Sequence, residues 1–215
     1  VGLVPKKSII DAGKFYLKKQ NKSAGIPEDD IINIAIKSLG LNDIDKFIPE
    51  NKIIEHCINA NQNSLVSLSV EGFVNEVSRD SFAPGGGSVA ALSAALGSAL
   101  TSMVSNLTLN SKKYKEYERF HFTSSLNTQK YQKQLINAID DDTKAYNSII
   151  DARRMQKKTK EEIKLRNEKI LSATIGATDI PFKILKLCSN VIEETYEVCK
   201  KGNVNSISDI GVASH

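Results

Sequence analysis

Three consecutive aspartates, Asp140, Asp141 and Asp142, interrupt a helical pattern in "LINAIDDDTKAYNSII". They sit in mid-helix, where no cap calls for them. At about 100° per residue, Leu135, Ile136, Ile139, Tyr146, Ile149 and Ile150 define one apolar stripe. Asp141 falls roughly 150° and Asp140 roughly 110° from the centre of that stripe, on the wet side, and Asp142 only about 50° away, inside it. A carboxylate on a packed face must be paired, hydrogen-bonded or held protonated, because burying an isolated charge is costly. Two readings stand: a proton-transfer group, or a structural ion pair with a lysine or arginine of another helix.

The second chemistry-bearing stretch is "SFAPGGGSVAALSAALGSALTSMV", with Gly85, Gly86, Gly87 and Ser88 opening a run without charge. A glycine-rich loop before a helix exposes backbone N–H groups that can hold an anion. A P-loop would need lysine after its last glycine, and Ser88-Val89 follow instead. Gly85, Gly87 and Ala90 match a dinucleotide fingerprint in form, but that motif follows a strand, and the preceding segment reads as a helix. Residues 88–107 have the roughly twenty positions a membrane span needs. Their large apolar residues fall on one stripe, however: Val89, Leu92, Leu96, Leu100, Met103, Val104 and Leu107. Beside it runs a small-residue flank of Ala90, Ala94, Gly97, Ser98 and Thr101, which lets another helix approach closely. The expectation is a central bundle helix, either at a subunit interface or in a plain core, and no membrane association.

The elements that must position these groups are mostly helical. "KKSIIDAGKFYLKKQ" and "PEDDIINIAIKSLGL" read as two helices, the second with Pro27 at its first turn and Gly40 at its stop. A short β-rich run at Val1–Val4 reads as a strand, and "PENKIIEHCI" as a short element. Residues 1–60 are thus expected to be the end of an α/β domain, 61–68 a polar linker, and 69–215 an all-helical bundle. In the bundle, Val70, Phe73, Val74 and Val77 make a short helix, and Thr159 with Glu162 has the form of a capping box. "TDIPFKILKLCSNVIEETYEVCKKG" gives a last helix, with Pro181 near its start or at a kink. The chain of 215 residues has a net charge of +4, too mild to ask for a nucleic acid. Cys57, Cys188 and Cys199 form no CxxC pair, which suits reduced thiols in the cytoplasm, and the scattered histidines suggest no protein-held metal.

In chain order, "FVNEVSRDSFAPGGGSVAALSAALGSALTSMVSNLT", "IDDDTKAYNSIIDA", "ATDIPFKIL" and "GNVNSISDIGV" resemble the cyclodeaminase/cyclohydrolase family. "VGLVPKKSIIDAGKFYLKKQNKSAGIPEDDIINIAIKSLGL" resembles the end of the C-terminal subdomain of glutamate formimidoyltransferases, to which such cyclodeaminases occur fused. The resemblance implies conversion of 5-formimidoyltetrahydrofolate to 5,10-methenyltetrahydrofolate with release of ammonia, a step of histidine breakdown. No permanently bound cofactor is implied, and a tetrahydrofolate derivative is the substrate. The family's catalytic aspartate, the second acid of a D-x-D pair, corresponds to Asp142, with Asp140 beside it. "APGGGS" is expected to let backbone approach the folate, with Ser88 capping the following helix. Asn203, Asn205, Ser206 and Asp209 are expected to add substrate contacts, although a polar helix-to-helix turn looks the same. Lys112, Lys113 and Lys115 read first as a solvated face and second as a site for a polyglutamate tail. The resemblance also implies a homodimer or higher homo-oligomer with sites at the interface. The transferase's catalytic histidine and the family's further C-terminal helices are expected to lie outside this chain. Two alternatives remain: methenyltetrahydrofolate hydrolysis on the same fold, and a non-catalytic helical dimerisation module.

Overall fold

The computed structural model describes residues 2–43, 46–59 and 64–215. Val1 of the expected strand and residues 61–63 of the expected linker lie outside the described residues.

The N-terminal unit is built from α1 (Lys6–Lys19), α2 (Glu28–Ser38), α3 (Pro49–Lys52) and α4 (Ile54–Asn59). Apolar residues at helical spacing bring Ile9, Ile32, Ala35, Ile36, Phe47 and Ile53 into one small core. The expected first strand is reduced to a single parallel bridge between Val4 and Ile53. Val4 donates to Lys52 O at 2.9 Å and accepts from Ile54 N at 3.1 Å. Pro5 follows with no N–H to offer, and pairing stops there. Among the described residues the fold is mainly α, with no strand.

The bundle comprises α5 (Val70–Val77), α6 (Gly86–Leu109), α7 (Glu118–Arg154), α8 (Lys160–Lys201) and α9 (Ile207–Ala213). Short 3-10 turns precede α5, α7 and α9, at Leu65–Ser67, Lys112–Tyr117 and Val204–Ser206. The capping box forms: Thr159 Oγ1 accepts from Glu162 N, and Glu162 Oε2 accepts from Thr159 N at 3.1 Å. The helix it opens runs unbroken for 42 residues, with Pro181 inside it. Pro181 removes a single intrahelical bond, and the apolar side chains on either side of it, Ile180 and Ile184, still pack into the main core. That core joins α5, α6, α7 and α8 through Phe73, Ala91, Ala95, Leu135, Ile139, Ile184 and Val191.

The central helix α6 meets α7, α8 and α9 with its small residues. Ser88, Ala91, Ala95, Gly97, Ser98, Thr101, Ser102, Ser105 and Thr108 are buried. Several of the buried hydroxyls bond to nearby carbonyls or hydroxyls, so burial leaves them satisfied. Ser98 Oγ donates to Thr128 O at 2.7 Å, and the Thr101 and Thr195 hydroxyls meet at 2.7 Å. Of the expected apolar stripe, Val104 is buried, while Leu96 is 59% and Leu107 45% exposed, and Val89 and Met103 also face outward. Gly97, Ser98 and Thr101 of the expected flank belong to the packing face while Ala90 is exposed, and of the large apolar stripe Val104 and Leu92 pack inward and the rest lie largely outside. Helix α6 is long and apolar enough to cross a membrane by length and composition. Here it is the centre of the bundle.

The two units meet at the turn between α1 and α2. Gly25 O accepts from Asn106 Nδ2 at 2.7 Å and Ser102 Oγ at 3.3 Å, and Ser23 Oγ lies 2.8 Å from Ser125 Oγ. A side chain at Gly25 would collide with the Ser125 backbone. Glu28 pairs with Lys6 and, at 2.6 Å, with Lys133 of α7. Desolvation raises the Glu28 pKa, yet the two ammonium partners outweigh it and hold the carboxyl below its usual range.

Candidate active site at the start of the central helix

Helix α6 begins on three glycines, so its first N–H groups have no side-chain screen. Gly85 is the N-cap and makes no side-chain cap bond. The cap comes from another helix: Asp142 Oδ2 accepts from Ser88 N at 3.0 Å and lies 3.3 Å from Ser88 Oγ. Ser88 therefore does not cap α6 as expected. Its buried hydroxyl donates to Ile139 O at 2.8 Å, one turn before Asp142, and so ties α6 to α7. The positive end of a helix is a favourable place for a carboxylate. A side chain at Gly87 would overlap the Asp142 carboxyl group. That is the local reason for glycine here: the carboxylate sits where a Cβ would project.

Asp142 is half-buried, as the helical wheel expects, and Asp141 is exposed. Asp142 Oδ1 accepts no hydrogen bond among the described residues, and it is the carboxylate oxygen nearest the space that a side chain on Gly87 would take. No lysine or arginine pairs with Asp142 among the described residues, against the structural ion-pair reading. Phe82 stacks at 6.2 Å on Tyr146, one turn beyond Asp142, and is itself 84% exposed. Helical periodicity gives Phe82 no role; the available signal is an aromatic ring two residues before the Pro84-Gly85-Gly86-Gly87 loop.

The other expected site residues lie elsewhere. Asp140 is engaged: Ser64 Oγ and Leu65 N (2.8 Å) both donate to its carboxylate, anchoring the 3-10 turn before α5. Asn203 spends its side chain on Asn205 N, at 3.1 Å, and its backbone N–H on Thr108 Oγ1, at 2.9 Å. Ser206 is buried, Asn205 exposed and Asp209 half-buried. Thr108 is twenty residues after Ser88 on one helix, about 30 Å along its axis. Within one chain, Gly85–Ser88 with Asp142 and Asn203–Asp209 therefore occupy opposite ends of α6. Asp142 also lines none of the larger clefts, such as those of about 560 Å³ between α2 and the end of α6 and between α7 and α8.

Known proteins bear on this arrangement. Residues 69–215 match the family model described as formiminotransferase-cyclodeaminase, and residues 1–59 the one described as formiminotransferase domain. The mouse formimidoyltransferase-cyclodeaminase is 34% identical over all of this chain, which spans 40% of that relative's length. A methenyltetrahydrofolate cyclohydrolase of Methylorubrum extorquens is 39% identical over 67% of the chain and 70% of its own length. The crystal structure of a formiminotetrahydrofolate cyclodeaminase from Thermotoga maritima superposes with a TM-score of 0.59 at 23% identity, covering 68% of this chain and 69% of that one. At that identity the likeness speaks for the helical fold.

Proposed function

The chain belongs to the formiminotransferase-cyclodeaminase family, and on that premise we propose that it closes 5-formimidoyltetrahydrofolate to 5,10-methenyltetrahydrofolate with loss of ammonia. The family supports an enzyme of folate metabolism. The observation that carries the finer reading is the Asp142 carboxylate, fixed by one oxygen at the glycine-built start of α6 and without a hydrogen bond at the other. The folate N10 amine attacks the formimidoyl carbon, forming the new C–N bond and a tetrahedral centre. The formimidoyl group enters as its protonated amidinium, so the former imino nitrogen stands as NH2 after the attack; the Asp142 carboxylate takes the proton from N10 and delivers it there, and that nitrogen leaves as neutral ammonia. The carboxylate's charge then faces the cationic methenyl product. The match of residues 1–59 to the formiminotransferase domain favours this reaction, because a formimidoyl transfer to tetrahydrofolate would make its substrate.

The cyclohydrolase reading is favoured by the Methylorubrum relative. There the same carboxylate would activate water against the methenyl carbon. A homo-oligomer is part of the proposal, because the outward apolar stripe of α6 supplies a surface for a second copy and the two groups of site residues lie apart in one chain. The unpaired thiols of Cys57, Cys188 and Cys199 fit a cytoplasmic setting.

The test supplies 5-formimidoyltetrahydrofolate and methenyltetrahydrofolate in separate assays to the full-length protein and its Asp142→Asn variant, following methenyl absorbance and ammonia. Loss of general-base function is expected to slow the cyclodeaminase by about 10²–10⁴, with the fold intact because an amide oxygen still accepts from Ser88 N. Turnover of methenyltetrahydrofolate alone would move the assignment to the hydrolase. Equal rates in both proteins would remove Asp142 from the chemistry.

A further inference from the structure

Phe82, just before the glycine loop, is the most exposed aromatic ring among the described residues, at 84%. Its loop is nonetheless fixed: Ser81 N donates to Arg79 O at 2.8 Å, and Ser81 Oγ donates to Ala83 O at 2.9 Å. The Phe82 ring centroid lies 6.2 Å from that of Tyr146, the two planes tilted by 34°. Tyr146 follows Asp142 by four residues, about 40° round α7 and about 6 Å along it, so the ring pair and the carboxylate share one side of the helix. A phenyl ring left in water adds nothing to the core; what it offers is a π face. Elsewhere in the molecule such faces are occupied. Lysine ammonium groups lie over the Tyr114, Phe120, Phe182 and Tyr196 rings, 4.1–5.4 Å from their centroids. Among the described residues no lysine or arginine lies over Phe82 or Tyr146. Arg79, three residues before Phe82, pairs with Glu76 at 3.2 Å.

A bare π face beside a carboxylate that no cation pairs suits a flat, delocalised cation, which is weakly hydrated and stacks on aromatic rings as a guanidinium does. On the folate reading of this site, two such cations pass through it: the amidinium of 5-formimidoyltetrahydrofolate and that of the 5,10-methenyl product. 5-Formyltetrahydrofolate has nearly the same shape as the substrate, with a neutral amide oxygen in place of the amidinium nitrogen. We propose that Phe82, backed by Tyr146, is a specificity-determining residue that selects folates whose one-carbon unit is an amidinium cation over their neutral isosteres, its ring face meeting the cation that Asp142 meets with its charge. The inference rests on the folate reading and adds to it a discrimination that the carboxylate alone would supply only in part.

The experiment follows ammonia release by the full-length protein from 5-formimidoyltetrahydrofolate, with 5-formyltetrahydrofolate as competitor, so that both constants report the site that releases ammonia. Phe82→Leu keeps an apolar side chain and removes the ring. It is expected to raise the substrate KM about three- to tenfold, the inhibition constant of 5-formyltetrahydrofolate less than about twofold, and to act through KM rather than kcat. Fluorination draws electron density from a ring face while leaving it apolar. Monofluoro- and then trifluorophenylalanine at position 82 are therefore expected to raise KM stepwise and to leave the inhibition constant flat. Sedimentation of Phe82→Leu is expected to match the parent. Equal rises in both constants would show a plain apolar contact, a KM blind to fluorination would remove the π face, and a smaller sedimenting species would make Phe82 an interface residue; each overturns the proposal. Parent turnover with unchanged constants in every Phe82 variant would defeat this inference alone, whereas a parent that releases no ammonia would defeat the folate reading and this inference with it.

Discussion

Gly87 and Asp142 occupy each other's space: the carboxylate lies where a side chain on residue 87 would project. A side chain on Gly86, one residue earlier, would meet open space. The two glycines therefore separate by substitution. Gly87→Ala forces the α6 start away from α7 and is expected to cost about 1–3 kcal/mol. Gly86→Ala meets nothing and is expected to leave stability unchanged or slightly raised, by trading backbone entropy. Thermal denaturation of the two variants side by side checks this, and equal melting points would show that the close approach does not constrain the fold. At this scale the sequence reveals orientation better than partnership. Periodicity turns Asp142 inward, and the structure agrees. It could not show that Asp142 caps a helix 54 positions away, so the cap fell to Ser88, the nearest hydroxyl. For the same reason Asp140, outward on the wheel, was not seen to be held by Ser64 and Leu65.

The bounds of α1 and α2 and the Thr159 capping box stand where spacing, glycine and proline place them, whereas the last helix expected near Pro181 is the second half of α8, and α9 follows where a turn was expected. The inside of α6 was not legible in the sequence. Hydropathy assigns the inside to large apolar residues, whereas α6 packs through serine, threonine, alanine and glycine. Buried hydroxyls that find carbonyls incur little penalty, and small side chains let three helices approach closely. Ser98, fully buried with its hydroxyl on Thr128 O, tests the point. Ser98→Leu makes the helix more hydrophobic and is nonetheless expected to destabilise the protein by about 1–3 kcal/mol, by overpacking the α6–α7 contact. Urea unfolding measures it. A stabilised variant would mean that the small face tolerates larger side chains and is not closely packed.

On the scale of the whole molecule, the outward stripe of α6 and the separation of the site residues are the two features behind the proposed homo-oligomer. Val89, Leu96, Met103 and Leu107 recur along about 27 Å of the helix, all of them exposed. One end of that stripe carries the glycine loop and Asp142, and the other meets the Asn203 turn through Thr108. In the proposed homo-oligomer, a two-fold axis across the stripe would pair two copies of α6 antiparallel and bring the Asn203 end of each copy toward the Asp142 end of the other. Leu96→Glu with Met103→Glu places charges on an exposed surface of the single chain, so the fold is expected to survive. In the assembly these charges would be buried and unpaired. Sedimentation is expected to show the double variant as a smaller species than the parent, with helical circular dichroism unchanged and folate turnover lost. Complementation adds a reading that destabilisation could not imitate. Mixing Asp142→Asn chains with Asn203→Ala/Asn205→Ala chains gives hybrid pairs in which one of the two shared sites is intact, and up to half the activity per hybrid should return. Should the charged variant sediment and turn over as the parent does, or should the mixture stay inactive despite forming hybrids, each chain would have to hold its site alone.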